Sequence, residues 1–186
     1  MNRIFIASIL FFLGHATTIG QITHSINLGP SVGFPAKNLK AAKTGWGGEL
    51  DYTAKFAARV GAHLHIGYMR FKGKYFSDDI VSFMPVRAGL TCFIFKDLIF
   101  LNPDAGVSFF HEPRNHSGYT KTGLSIGFGV GYRLYFNPAK KAYVNISSKF
   151  NTHKYKNKDY GQQYTYTWVD ISVAYGLTWG RKIPVK

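Results

Sequence analysis

Several ionisable side chains alternate with large apolar residues along this chain, so the two kinds of residue would lie on opposite faces of extended strands. The ionisable residues are Glu49, Asp51, Lys55, His63, His65, Arg87, Asp104, Arg133, Lys149 and Asp170. Acids and bases that share a face can pair with one another, line a path for ions or bind a metal. Which of these chemistries applies depends on the strands that position the residues.

His63 and His65 are the pair best spaced for a metal, because residues two apart in a strand point to the same face. Zinc sites combine histidine nitrogens with cysteine or carboxylate ligands. The single cysteine, Cys92, is remote in the sequence, and no clear third ligand accompanies the pair. The sequence therefore predicts two hydrogen-bonded histidines, with no metal and no cofactor. Cys92 also excludes an intrachain disulfide.

Residues 124–134 alternate without a break between large apolar residues and serine, glycine or arginine, which is the period of a β-strand with one apolar face. Similar segments occupy residues 24–34, 46–56, 60–71, 81–94, 99–109, 142–150 and 166–179. Each is about 9 to 14 residues long, which suits a tilted strand that crosses a bilayer. We predict an all-β fold, an eight-stranded antiparallel up-and-down transmembrane β-barrel.

The links between these segments alternate in length, which predicts the orientation of the barrel. Short links fall at residues 57–59, 95–98 and 137–141, and longer polar links at 36–45, 72–79, 111–120 and 151–163. In such barrels the short turns are periplasmic and the long loops are outside, so both termini would be periplasmic. Lys154, Lys156 and Lys158 fall in the last long link and are candidates for contacts with phosphates.

Residues 1–20 are predicted to be a secretory signal peptide, and residues 21–186 a single barrel domain. The apolar run from Ile4 to Leu13 is too short for a transmembrane helix, which needs about 20 residues. The formal net charge of the chain is +14, but the basic residues are spread over the links rather than gathered in one stripe. Anionic lipid headgroups and lipopolysaccharide are therefore the expected partners, and nucleic acid is not.

The chain resembles the small outer-membrane β-barrel proteins of Gram-negative bacteria, of the OmpA-transmembrane-domain and OmpX type, and the porin-family-like barrels of Bacteroidetes. The resemblance is carried by the inward Arg87 in the segment 84–90, the Gly-Tyr pairs at 67–68 and 131–132, and the aromatic residues of the last strand. It implies an outer-membrane monomer that the outer-membrane assembly machinery inserts. Such barrels usually end on an aromatic residue, whereas residues 180–186 follow Trp179 here.

An eight-stranded barrel has an interior that side chains can fill, so the ionisable face predicts a plug of paired charges inside it. Asp51 is expected beside His65, and Arg87 near Asp104. The function expected is a structural or interaction role with loops free to bind partners. A narrow porin-like passage for water or small ions is the alternative. A soluble lipocalin-like carrier is a weaker one, as is a lipid A-modifying enzyme, because Ser147, Ser148 and His153 form no convincing catalytic set.

Overall fold

The structure is a computed structural model that describes residues 22–39, 42–73, 80–95, 97–111, 120–136, 141–156 and 163–180. The predicted signal peptide lies outside these residues, and so does Lys158. In the described part of the chain, no helix is both long and apolar enough to cross a membrane.

Eight antiparallel strands form a closed barrel, as the sequence predicted. The strands are β1 (Thr23–Ala36), β2 (Gly45–Lys55), β3 (Val60–Lys72), β4 (Ile80–Phe95), β5 (Ile99–His111), β6 (Thr120–Tyr135), β7 (Ala142–Lys156) and β8 (Gln163–Gly180). Each strand pairs with its neighbours in the sequence, and β1 closes the barrel by pairing with β8. A short 3-10 helix, Lys37–Leu39, follows β1.

The apolar face of the strands points outward. In β6, Ile126, Phe128 and Val130 are exposed, whereas Ser125 and Arg133 are buried inside the barrel. Alternation forces this division, because successive residues of a strand point to opposite faces. The outer surface is therefore an apolar belt, and the polar residues fill the lumen.

Most strands are longer than the sequence predicted, and β7 is extended the most. The predicted loop 151–163 is mostly strand, because β7 continues to Lys156 and β8 begins at Gln163. The outward residues here are basic in β7 and uncharged polar in β8, and the inward residues include aromatic rings, so the hydrophobic alternation no longer marks the strands. Lys154 and Lys156 consequently lie on β7 rather than in a loop.

The side chains inside the barrel form three layers. At the end with the long links, the aromatic layer consists of Leu39, Ala42, Met69, Phe71, Phe83, Phe110, Tyr155 and Trp168. Below it, the charged layer contains Glu49, Asp51, His63, His65, Arg87, Asp104, Lys149 and Asp170, all of them buried. At the end with the short links, the basal cluster consists of Phe93, Phe100, Arg133 and Tyr143.

Candidate functional site in the barrel lumen

Asp51 lies at the centre of one wall of the charged layer. The register of β2 and β3 places Asp51 directly opposite His65. Its Oδ1 is 2.7 Å from Nδ1 of His65 and 3.4 Å from Nε2 of His63. The two histidines stack with their ring centroids 6.3 Å apart, as expected for residues two apart on one strand. The carboxylate that the sequence placed beside His65 therefore faces both histidines.

Lys149 reaches the same point from β7, on the opposite wall. Its Nζ lies 2.9 Å from Nδ1 of His65 and 3.7 Å from Oδ1 of Asp51. Carboxylate oxygens of Asp104 and Glu49 follow at 3.9 and 4.0 Å. One ammonium group therefore lies within 4.0 Å of His65 and of three carboxylates, and these ion pairs link the two walls of the lumen.

Arg87 and Asp104 form the second charge pair of the layer, with Nε of Arg87 3.1 Å from Oδ1 of Asp104. Space for this pair comes from Gly127, which lies opposite Asp104 in the register of β5 and β6. A Cβ on Gly127 would collide with Oδ1 of Asp104 and come within 2.5 Å of Nη1 of Arg87. Gly127 thus makes room for a large charged pair.

The remaining two carboxylates are held by neutral donors. Asn151 donates a hydrogen bond from Nδ2 to Asp170 Oδ2 at 2.6 Å, and Ser172 donates one from Oγ to Glu49 Oε1 at 2.5 Å. Ser147 lies 2.7 Å from Ser172, oxygen to oxygen. Such neutral donors reduce the cost of burying a carboxylate but add no positive charge.

Lys55 and Arg133, which the sequence analysis grouped with these residues, lie outside the charged layer. Lys55 is half-buried at the short-link end, where its Nζ is 2.5 Å from Oδ1 of Asp97. The guanidinium of Arg133 lies over the rings of Phe93, Phe100 and Tyr143, at 4.9, 5.2 and 4.8 Å from their centroids. Both side chains point into the barrel, as predicted, but they lie nearer the short links than the charged layer does. They therefore close the lumen at the short-link end.

The charged layer is closed from above by packed rings. The ring centroid of Phe83 is 4.7 Å from that of Trp168 and 5.2 Å from that of Phe110. Between the aromatic and charged layers, a small cavity lined by Glu49, His65 and other residues has room for about one water molecule. The described side chains therefore fill the lumen at three levels.

Comparisons with known proteins identify the fold. No family model and no curated protein matches the chain. Among solved structures, the chain is similar to Ail, the attachment invasion locus protein of Yersinia pestis, at 18% identity and a TM-score of 0.51, covering 86% of this chain and 99% of Ail. The structure of Yersinia pestis Ail in a phospholipid bilayer nanodisc is 20% identical to this chain, with a TM-score of 0.50. The match covers 86% of this chain and 99% of Ail. Neisserial surface protein A is 11% identical to this chain, with a TM-score of 0.55. The match covers 86% of this chain and 97% of Neisserial surface protein A.

The chain has the fold of the small outer-membrane β-barrels. The predicted resemblance is therefore confirmed at the level of the fold. These identities are too low to carry a function from one protein to the other, and the chemistry of this barrel must be read from its own residues.

The aromatic layer was missed in the sequence, although its residues share the inward phase. Phe83 lies four residues before Arg87, Phe110 two after Ser108, and Trp168 two before Asp170. Continuing the alternation of inward and outward residues along each strand, past the polar inward positions, would have placed these rings inside the barrel. They were missed because a bulky apolar residue was expected only on the outer face.

Proposed function

We propose that the protein is an integral outer-membrane β-barrel with a structural or interaction role, a lumen closed by side chains, and both termini in the periplasm. The observation that carries this proposal is the continuous apolar belt on the outside of the barrel. Ile66, Val130, Ile146 and Val173 are each exposed by more than two-fifths of their surface. A belt of this extent is suited to lipid and would make a water-soluble carrier aggregate.

Aromatic residues border the belt at both ends, as in barrels that span a bilayer. Trp46 and Tyr68 lie outward toward the long links, and Tyr175 and Trp179 outward toward the short links. Amphipathic rings favour the boundary between hydrocarbon and headgroups. Their positions support a transmembrane placement with the barrel axis across the membrane.

Basic residues lie beyond the aromatic border at the long-link end. The exposed residues Lys72, Lys154 and Lys156, here called the basic collar, occupy the ends of β3 and β7. The residues opposite Lys154 on the neighbouring strands are Leu124 and Thr165, which carry no charge. We infer that the collar contacts phosphates of lipopolysaccharide in the outer leaflet, each lysine contributing on the order of 1 kcal/mol.

A narrow passage for water or ions is the second candidate function, and the three filled layers of the lumen argue against it. Conduction would require Lys149 and Arg87 to leave their carboxylates and the rings of the aromatic layer to separate. No described feature provides an alternative path around them.

Membrane assembly tests the apolar belt. Val130→Arg should block or strongly weaken insertion, because an outward charge near the middle of the bilayer costs about 2–4 kcal/mol. Gly129→Ser, the adjacent inward position, is the matched control and should insert. Cell fractionation and gel mobility with and without boiling measure the result. Equal insertion of the two variants would contradict the assignment of the faces.

Cysteine labelling tests the orientation. In a Cys92→Ser background, Lys156→Cys at the long-link end should react with a membrane-impermeant maleimide in intact cells. Ala58→Cys, exposed in a short link, should react only after the outer membrane is permeabilised. The reverse pattern would place the long links in the periplasm.

Thermal stability in two kinds of bilayer tests the collar. The double variant Lys154→Gln and Lys156→Gln should unfold at a lower temperature than the unsubstituted protein in lipopolysaccharide bilayers. In phosphatidylcholine vesicles the two proteins should unfold alike. A loss of the same size in both lipids would show that the lysines do not contact anionic headgroups.

A further inference from the structure

His63 is a fully buried imidazole that faces two carboxylates without a hydrogen bond to either. Neither of its ring nitrogens has a hydrogen-bond partner. Its Nε2 lies 3.4 Å from Oδ1 of Asp51 and 3.7 Å from Oδ2 of Asp104. Buried polar atoms normally have hydrogen-bond partners. The gap between this ring nitrogen and the two carboxylate oxygens is a place where a cation could bind.

The donor atoms around this gap have the spacing of metal ligands. Asp51, His63 and His65 each offer one ligand atom, and the three atoms lie within 4.8 Å of one another. Zinc binds nitrogen and oxygen at about 2.0–2.2 Å, so two of its tetrahedral ligands are about 3.3–3.6 Å apart. The 3.4 Å between Nε2 of His63 and Oδ1 of Asp51 meets this requirement. The 2.7 Å between Nδ1 of His65 and the same oxygen would have to lengthen by about 0.6–0.9 Å. Asp104 is placed to supply a fourth oxygen after a small movement.

The charge of the layer also favours a divalent cation. The carboxylates Glu49, Asp51, Asp104 and Asp170 outnumber the fixed cations Arg87 and Lys149 by two. Unbalanced charge is expensive in a buried environment. Two additional protons or one divalent ion would restore neutrality, and imidazole ligands favour ions such as zinc, copper or nickel over magnesium or calcium.

Lys149 already places one ammonium group at the edge of this cluster, 2.9 Å from Nδ1 of His65. A metal ion that used this nitrogen would displace the ammonium toward Glu49, whose Oε2 is 4.0 Å from Nζ. We propose that Asp51, His63 and His65 form a site inside the barrel for a divalent transition metal of the zinc class, with the Lys149 ammonium as its competing occupant.

The layers above and below the site determine how a metal would enter. The rings of Phe83 and Trp168 pack above the charged layer, and Arg133 lies on Phe93 below it. An ion therefore has to bind while the strands assemble, before the lumen closes. Metal ligation of this kind couples binding to folding.

Metal content after refolding tests the proposal. The urea-denatured mature barrel is refolded into detergent micelles with Zn²⁺ or Co²⁺, passed over a chelating resin, and analysed for bound metal. We expect about one ion per chain after refolding with metal, and far less when the ion is added to the folded barrel. Cobalt in a site with imidazole ligands should also give visible absorption bands.

Substitutions locate the ion. His63→Gln and Asp51→Asn should lose the metal and the cobalt spectrum. His153→Gln should retain both, because His153 is also a fully buried lumen histidine but faces the rings of Phe83 and Phe110. Lys149→Met, which removes the competing ammonium, should hold the ion against a higher concentration of chelator. Gel mobility with and without boiling establishes that each variant is folded.

Two results would overturn the proposal. One is a folded barrel that carries no metal after refolding with Zn²⁺ or Co²⁺, in the unsubstituted protein and in Lys149→Met alike, which would leave protons as the balancing charge. The other is His63→Gln retaining as much metal as His153→Gln. The metal content of the unsubstituted chain shows whether the barrel binds metal at all, even if the Asp51 and His63 variants do not fold.

Discussion

The aromatic layer and the charged layer fill the same lumen with opposite chemistry. In the aromatic layer, the ring of Phe83 contacts those of Phe110 and Trp168, and such packing needs few specific partners. In the charged layer, each group has to face an opposite charge or a donor, because an unpaired buried charge is costly. The stability of the first depends on volume, and that of the second on pairing.

This difference has a consequence for mutation. Loss of a ring leaves a cavity whose cost is local, since neighbouring rings can partly close it. Loss of one charge leaves its partner uncompensated, and the effect reaches other strands because Lys149 joins residues of β2, β3 and β5. The charged layer should therefore behave as a coupled unit, and the aromatic layer as a set of nearly independent contacts.

The largest effect is expected for Arg87→Leu. Removing the guanidinium takes away the cation nearest to the buried carboxylate of Asp104 and leaves only Lys149, at 3.9 Å, which should destabilise the barrel by about 3–5 kcal/mol. Adding Asp104→Asn should recover part of this loss. The free energies of unfolding of both single variants and the double, from urea titrations in lipid vesicles, give the coupling. Strictly additive values would show that the two side chains do not interact.

Phe83→Ala should have a somewhat smaller effect, about 3 kcal/mol, at the low end for a buried phenylalanine, since the five rings around it can move inward. No second substitution in the charged layer should rescue it. The measurement is the same urea titration, with Phe83→Ala combined with Asp104→Asn as the control pair. Coupling as strong as that between Arg87 and Asp104 would remove the distinction between the two layers.

The sequence predicted the eight strands and their faces because alternation is a local signal. It also placed Asp51 opposite His65, since counting back from the short link at 57–59 fixes the register of β2 and β3. It did not place Lys149 beside them, because a contact between opposite walls depends on the barrel radius and the tilt of the strands.

The positions of Lys55, Arg133 and the aromatic layer show the same limit. The alternation of residues along a strand shows which face a side chain occupies but not its level along the barrel axis. Alternation alone therefore could not separate Lys55 and Arg133 from the charged layer. At the other end, the end of β7 and the start of β8 were missed because the outward residues there are no longer apolar. Level and radius are properties of the closed sheet, not of any single strand.

Two glycines of β6 offer a smaller test of how tightly the charged layer is packed. Gly127→Ala should cost on the order of 1–3 kcal/mol, because its Cβ would collide with Asp104 and Arg87. Gly129→Ala should be close to neutral, because the nearest atom to its Cβ is Cε of the flexible Lys149, at 3.3 Å. Urea titration compares the two. A barrel in which both substitutions are neutral would have a looser lumen than the structure has.

The smallest effect expected is on conductance, because an ion crossing the barrel would have to pass both the aromatic layer and the charged layer. The purified barrel in planar bilayers should give no conductance steps, or only small irregular ones, because the aromatic and charged layers each close the lumen. Phe83→Ala should remain silent as well, since it opens only the upper layer and leaves Lys149 and Arg87 among their carboxylates. Uniform, large steps that increase with protein concentration would contradict the closed lumen. Steps that appear only in Phe83→Ala would instead assign the seal to the aromatic layer alone, and would make the charged layer the selective lining of a gated path.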